Sequence, residues 1–288
     1  MGHESRKSLL PDLRRHRWDR SVSDPLRLAT WNVNSIRART DRVIEFLRRS
    51  DVDVLAIQET KVRDDGFPVA AISDLGYQVA HHGLNQWNGV AVLSRVGLDD
   101  VQVGFPGMPG YGEPPATEAR ALSAVCGGVR VWSVYVPNGR EIEHPHYQYK
   151  LAWLEALARY GTEALAADPA LQMAFCGDYN IAPTDADVWS VDYYLDKTHT
   201  TPPERAAFQA VVDAGYADVV RPYTSEPRTF TYWDYQQLRF PKNRGMRIDF
   251  VLASAALAAR VTSARIDREE RKGKGASDHA PVIVEFGG

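Results

Sequence analysis

Eight residues of this chain are of kinds that can act on phosphorus, and each stands at or just beyond the end of an apolar run: Asn32, Glu59, Tyr135, Asp178, Asn180, Asp249, Asp278 and His279. They are carboxylates, amides, one phenol and one histidine, with no serine or cysteine nucleophile motif and no glycine-rich phosphate loop among them. Oxygen donors of this sort hold a hard cation such as magnesium, which binds one or two carboxylates plus substrate phosphate. A remaining carboxylate and a histidine can orient water and stabilise charge on a phosphodiester under attack. Asp249 interrupts the apolar stretch Ile248 to Leu252, where a carboxylate is costly unless paired. His279 is its natural partner, because a carboxylate fixes the imidazole tautomer and favours its charged form. Taken singly, each residue has a plainer reading: Gly177, Asp178 and Asn180 are turn formers at any strand exit.

The elements that must position these residues are short. Leu171 and Met173 to Cys176 form a strand-like run that delivers Gly177, Asp178 and Asn180, and carboxyl ends of strands are where open α/β sheets place ligands. Leu26 to Trp31 empties into Asn32, Asn34 and Arg37, and Val52 to Ile57 into Gln58, Glu59, Thr60 and Lys61. Between them, Thr40 and Asp41 are expected to cap a helix whose apolar stripe is Val43, Ile44 and Leu47. Tyr77 to Ala80 pairs with Gly89 to Leu93. Ala121 to Cys126 pairs with Val129 to Val136 across Gly127 and Gly128, and the segment from Gly104 to Pro115 is a loop. Helical spacing runs from Tyr147 to Leu165, and a second helix starts at Pro202 and stops at Gly215. Arg247 to Leu252 and Pro281 to Phe286 are the last strands. Some strands are joined by helices and others by tight turns, so the predicted fold class is α/β: a four-layer sandwich, two mixed sheets face to face with helices outside.

With 288 residues, 44% hydrophobic and 25% charged, the composition is that of a globular chain, and its length fits one α/β domain over residues 26–288 after an arm of residues 1–25. Apolar runs are too short for a membrane span and the N-terminus lacks the apolar core of a signal peptide, so no membrane partner and a cytoplasmic location are expected. Cys126 and Cys176 lie in apolar strands and read as buried hydrophobes. A formal net charge of −3 argues against a surface coated for nonspecific nucleic-acid binding. Basic runs at Arg6 to Arg20, Arg37 to Arg49, Arg239 to Arg247 and Arg268 to Lys274 would track phosphates only if they face one way.

The segments Ala29-Thr-Trp-Asn-Val-Asn-Ser-Ile-Arg-Ala-Arg39, Ala56-Ile-Gln-Glu-Thr-Lys61, Tyr135-Val-Pro-Asn-Gly139, Gly177-Asp-Tyr-Asn-Ile-Ala-Pro183, Arg247-Ile-Asp-Phe-Val-Leu252 and Ser277-Asp-His-Ala-Pro-Val282 occur in this order. In order and spacing they resemble the exonuclease III family of abasic-site endonucleases, related in fold to pancreatic deoxyribonuclease, over about residues 26–286. The resemblance implies Glu59 as principal magnesium ligand, with Asn32 and Asp278 in the same metal pocket and Asp178 and Asn180 adjoining it. It implies that Asp178 activates or positions water, Asn180 helps hold the phosphate, His279 oriented by Asp249 stabilises its charge, and Tyr135 supplies a hydroxyl. It further implies DNA contacts from Asn34, Arg37, Arg39, Lys61, Asn138 and Arg247. Tyr232, Trp233 and Met246 stand at the sugar pocket, Met246 where several relatives carry tryptophan; the run from Arg268 is a further candidate for backbone contacts.

The expected function is accordingly a magnesium-dependent phosphodiesterase, with manganese as an alternative. It would act as a monomer on duplex DNA with abasic or 3′-blocked lesions, incising 5′ to abasic sites and trimming 3′ ends. The competing expectation is a nucleic-acid-binding regulator on the same scaffold with weakened catalysis. Its signature would be replacement of Glu59, Asp178, Asp249 or His279, and all four are present.

Overall fold

The computed structural model describes residues 24–288. The arm expected over residues 1–25 lies almost wholly outside them. Along the chain run β1 (Leu26–Asn32), α1 (Ile36–Ser50), β2 (Val54–Gln58), α2 (Val69–Ser73), β3 (Gln78–His82), β4 (Val90–Ser94), β5 (Asp99–Val103), β6 (Ala121–Cys126), β7 (Val129–Tyr135), α3 (Pro145–Ala167) and β8 (Met173–Asp178). There follow α4 (Val191–Tyr194), α5 (Pro202–Asp213), β9 (Tyr216–Asp218), β10 (Asp249–Ser254), α6 (Ala255–Ala258), β11 (Val261–Ile266) and β12 (Val282–Phe286).

Two six-stranded sheets result, ordered β11-β12-β1-β2-β4-β3 and β5-β6-β7-β8-β10-β9. Each is mixed for the same reason. One helix crossover, α1 in the first sheet and α3 in the second, makes one parallel pair, β1 with β2 and β7 with β8; the other pairings are antiparallel. The central strands are apolar on both faces because both are covered. Leu28, Val54 and Val92 of one sheet meet Val131, Cys176 and Val251 of the other. Trp31 and Ile57 turn outward onto Val43 and Phe46 of α1, and Phe175 and Phe250 turn onto Trp153 of α3 and Phe208 of α5. The expected four-layer sandwich is the observed one. No helix among the described residues is long and apolar enough to cross a membrane.

Differences from the sequence reading lie at element ends and sheet edges. Helix α1 starts at Ile36, after Ser35, not at Thr40; the Thr40 hydroxyl donates to the Ile36 carbonyl at 2.9 Å from inside the helix. Strands β5, β9 and β11 have no sequence signature, since β5 is an edge strand with most side chains exposed, β11 is an edge strand with a single buried side chain, and β9 is three residues long. The segment around Tyr232 lies outside the strands and forms single bridges to Met246 and His279.

Candidate active site

Both parallel pairs end at the same rim, so the two sheets present their functional residues to one another. Asn32 ends β1 and Glu59 follows β2; Tyr135 and Asp178 are register partners at the ends of β7 and β8, and Asp249, opening β10, is paired with Asp178 across the antiparallel step. The exits are pinned together: Val33 N–H donates to the Gln58 carbonyl, Ser35 N–H to that of Glu59 and Ile36 N–H to that of Thr60. Asn34, Ser35, Glu59, Lys61 and Asn180 all have positive φ, a strained conformation for residues with side chains that clusters where function over-determines the backbone. Gly177 is required where it stands, since a Cβ there would lie 1.8 Å from the Val134 carbonyl oxygen.

The centre is a line of acid, imidazole and acid. His279 Nδ1 donates to Asp249 Oδ2 at 2.9 Å, and its Nε2 lies 3.7 Å from Asp178 Oδ2. Burial works to lower the His279 pKa, but the Asp249 and Asp178 carboxylates outweigh it and raise it to about 10, which favours the charged ring, with Nδ1 donating to Asp249 and Nε2 turned toward Asp178 beyond hydrogen-bond distance. Burial raises the Asp178 pKa, against the pull of His279 and with the help of Asp249 and Glu59. The Asn32 amide joins the two sheets, donating to Glu59 Oε1 at 2.8 Å and to Asp178 Oδ2 at 2.9 Å. Glu59 also carries the Lys61 ammonium at 2.6 Å; burial opposes ionisation there, yet Lys61 and Asn32 bring its pKa below the usual carboxylate value. Tyr135 lies under the Arg120 guanidinium at 4.9 Å, and burial, then Glu59, push its phenol well above the ordinary pKa, keeping it a donor.

Ligand atoms of Glu59, Asp178 and His279 lie within 4.8 Å of one another. The two carboxylates offer the hard oxygens that a divalent cation takes, and Lys61 on Glu59 shows the place already drawing positive charge. The other residues expected at a metal are arranged differently. The Asn32 amide oxygen accepts from Asn34 N–H at 3.0 Å while its nitrogen holds the carboxylate pair, and the Asn180 amide is spent on Asn138, from which it accepts at 3.1 Å, and on the Val136 carbonyl, to which it donates at 3.1 Å. Asp278 accepts from the Asn34 amide at 3.0 Å and borders the cluster from outside.

Among the expected DNA contacts, Arg37 is exposed and Asn34, Lys61 and Asn138 are at the rim. Tyr232 packs on the His279 ring at 4.9 Å, and Met246, although buried, lines with it a cavity of about 470 Å³. Three other residues expected at DNA have their side chains engaged within the protein. Trp233 is fully buried, its indole donating to Asn243 at 3.0 Å. Arg247 is buried and held by Asp187 and Asp218, each at 2.6 Å. Arg39 spends its guanidinium on the Asn34 carbonyl, the Tyr235 hydroxyl and the Ala276 carbonyl, tying loops together. The basic runs also turn inward: Arg42 and Arg49 of α1 pair with Glu270 and Asp267, and Arg271 donates to the Trp233 carbonyl.

Sequence reasoning missed several residues that support this site. Lys150, fully buried on α3, donates to the Asn138 and Asn180 carbonyls at 3.2 and 2.6 Å and pairs with Glu204 at 2.5 Å. A lysine on the apolar face of a helix was the available signal. Thr231 accepts from the backbone of Ile248 and Asp249, and Ser277 donates to the Asn32 carbonyl at 2.7 Å.

Comparison with known proteins places this arrangement among relatives. The profile of the Endonuclease/Exonuclease/phosphatase family matches residues 29–279. Exodeoxyribonuclease III of Haemophilus influenzae is 32% identical over 270 residues, 91% of this chain and all of that protein. A solved structure of the 3′ phosphatase NExo from Neisseria, bound to a product DNA hairpin, is similar with a TM-score of 0.85 and 35% identity, covering 91% of this chain and 99% of that one. An AP endonuclease from Archaeoglobus fulgidus gives 0.84 and 35% over the same shares.

Proposed function

The chain belongs to the endonuclease/exonuclease/phosphatase family, within its exonuclease III group, and on that premise we propose that it is a metal-dependent nuclease of DNA repair that incises duplex DNA 5′ to abasic sites and clears blocked 3′ ends. The observation that carries the reading is the His279 imidazolium held between Asp249 and Asp178, beside Glu59. That line places a fixed positive charge and a proton acceptor side by side at the meeting of two sheets, where a phosphodiester can be approached from both.

Water attacks phosphorus, the bond to the 3′ oxygen breaks, the departing oxygen takes a proton from solvent, and the products are a 3′ hydroxyl and a 5′ phosphate. Asp178, with its pKa raised by burial, takes the proton of the attacking water. The Nε2–H of His279 donates to a phosphoryl oxygen as charge develops there, while Asp249 holds the ring in place. The Tyr135 hydroxyl and the Asn180 side chain complete the cradle. Glu59 and Asp178 would hold a magnesium or manganese ion, with Asp278 at its border; such an ion withdraws charge from the phosphoryl group and orients water. Selection of abasic sites would follow from eversion into the cavity beside Tyr232 and Met246, because a nucleotide without a base has no stack to lose.

A second reading, end processing without internal incision, is supported by the likeness to the 3′ phosphatase NExo. One assay decides between them. An end-labelled duplex with a single tetrahydrofuran residue and a second duplex with a 3′ phosphate are incubated with magnesium and with chelator. Magnesium-dependent incision immediately 5′ to the analogue supports the first reading. Phosphate release alone selects the second, and loss of neither substrate refutes both.

A further inference from the structure

The cavity beside Tyr232 and Met246 is also lined by a cation that the proposed chemistry does not use, Arg239. Arg239 is buried, with 7% of its surface exposed, and its Nη1 has no hydrogen-bond partner. Its one hydrogen bond to a side chain is to the neutral Gln237 amide at 3.2 Å. The guanidinium lies 4.6 Å from the centre of the Tyr193 ring and 5.6 Å from that of Trp189. The Lys197 ammonium sits 3.5 Å from the same Tyr193 ring. Among the described residues no carboxylate comes within 4 Å of either cation, whereas Arg42, Arg49, Arg95, Arg120 and Arg247 are all paired. Asp196 and Asp234 border the cavity without reaching the two cations.

A buried guanidinium without a counter-ion is rare, because the cost of removing it from water is usually offset by a carboxylate. Aromatic faces supply part of that stabilisation and fix the plane of the group, leaving its charge available to an anion at the cavity. The site side of the same cavity is Tyr232, against His279, and Met246. A volume of about 470 Å³ admits a nucleotide-sized group. If the scissile phosphate sits at His279 and the sugar on its 3′ side enters the cavity, the strand's next phosphate comes against the cavity's lining, to which Arg239 and Lys197 belong.

We propose that Arg239, seated with Lys197 on Tyr193, receives the phosphate on the 3′ side of the everted deoxyribose, so that an unbroken strand is gripped on both flanks of the sugar. This rests on the eversion reading above and names the group that makes the cavity select an internal lesion.

The test is a binding cycle in chelator, so it does not depend on turnover. The full-length protein, its Arg239→Gln variant and its Lys197→Gln variant bind a tetrahydrofuran duplex whose 3′-flanking linkage is either phosphate or neutral methylphosphonate. Either change alone, at Arg239 or at that linkage, is expected to weaken binding about tenfold. Both together should be no worse than one, and the slope of log affinity against log salt should fall by about one in the variant. Lys197 is exposed, so its variant gives the same cycle where loss of Arg239 compromises folding. Additive losses, unchanged binding in both variants, or no duplex binding at all would overturn the proposal. Failed incision with an intact cycle would overturn the abasic-endonuclease reading instead.

Discussion

Asp178 receives the Asn180 N–H on one oxygen and the Asn32 amide on the other, with the His279 imidazolium 3.7 Å away. Asn at this position keeps the shape and loses the proton acceptor. Asp178→Asn is therefore expected to lower kcat by about a thousandfold or more while DNA affinity changes little, as read by single-turnover cleavage beside equilibrium binding. Retained turnover would remove Asp178 from the chemistry. Asp249 acts differently, through the ring it orients at 2.9 Å. The doubly changed Asp249→Ala, His279→Ala protein should be hardly slower than either single variant, and multiplied losses would show that the two do not work as a unit. The site residues were legible because they are polar groups at the ends of apolar runs. Trp233 and Arg247 show what a string of residues leaves out. Tyr232 and Met246 face the cavity, so in extended backbone their chain neighbours Trp233 and Arg247 face the opposite way, into the interior. A motif read as a string assigns both neighbours to the ligand.

At the scale of elements, the strand exits are held by groups far from the chemistry in sequence. Gly177 is the tightest case: a methyl group there meets the Val134 carbonyl of the adjacent strand at 1.8 Å, with φ at 154°. Gly177→Ala should lower stability by about 2–4 kcal/mol, measured as a fall in the denaturant midpoint. Loss below about 1 kcal/mol would mean that β7 and β8 part more easily than their packing suggests. The loop carrying Asn138 is held by His146 on α3, whose Nδ1 accepts the Gly139 N–H at 3.1 Å. Burial, then the nearby cations of Arg120 and Arg140, lower the His146 pKa to about 4 against the opposing pull of Glu118. Between about pH 6.5 and 4 the unfolded chain binds a proton here that the folded one does not, so stability falls as pH falls through that window. Comparison of urea midpoints from pH 7 to pH 4.5 should show a steeper decline for the native chain than for His146→Gln, and equal slopes would refute it. The central strands could be read from composition because both their faces are covered. The edge strands β5 and β11 could not, since strands covered little or on one side only bear no run of buried residues.

Across the whole molecule, the site exists only at the correct spacing of the two sheets. Glu59 and Asn32 belong to the first sheet, Asp178 and Asp249 to the second, and the amide of Asn32 spans the gap at 2.8 and 2.9 Å. That spacing is set by small and medium side chains between the sheets, among them Ala56, Ala174, Cys176 and Val251, all buried. This dependence was not visible along the chain, because the residues that set the distance carry no chemistry and stand apart from those that do, some before and some after them in sequence. Packed interiors do not absorb added volume without movement. Ala174→Leu should therefore cost about 1–3 kcal/mol of stability and, by parting the sheets near β8, also weaken the hold on a divalent cation shared by Glu59 and Asp178. Ala156→Leu, on the outer face between α3 and its sheet, is the matched control, overpacking the same molecule without touching the gap. Calorimetric magnesium titration of the two folded variants separates the effects. Weaker metal binding in Ala174→Leu alone would tie the site to sheet spacing, whereas equal weakening in both would trace it to general loosening of the fold.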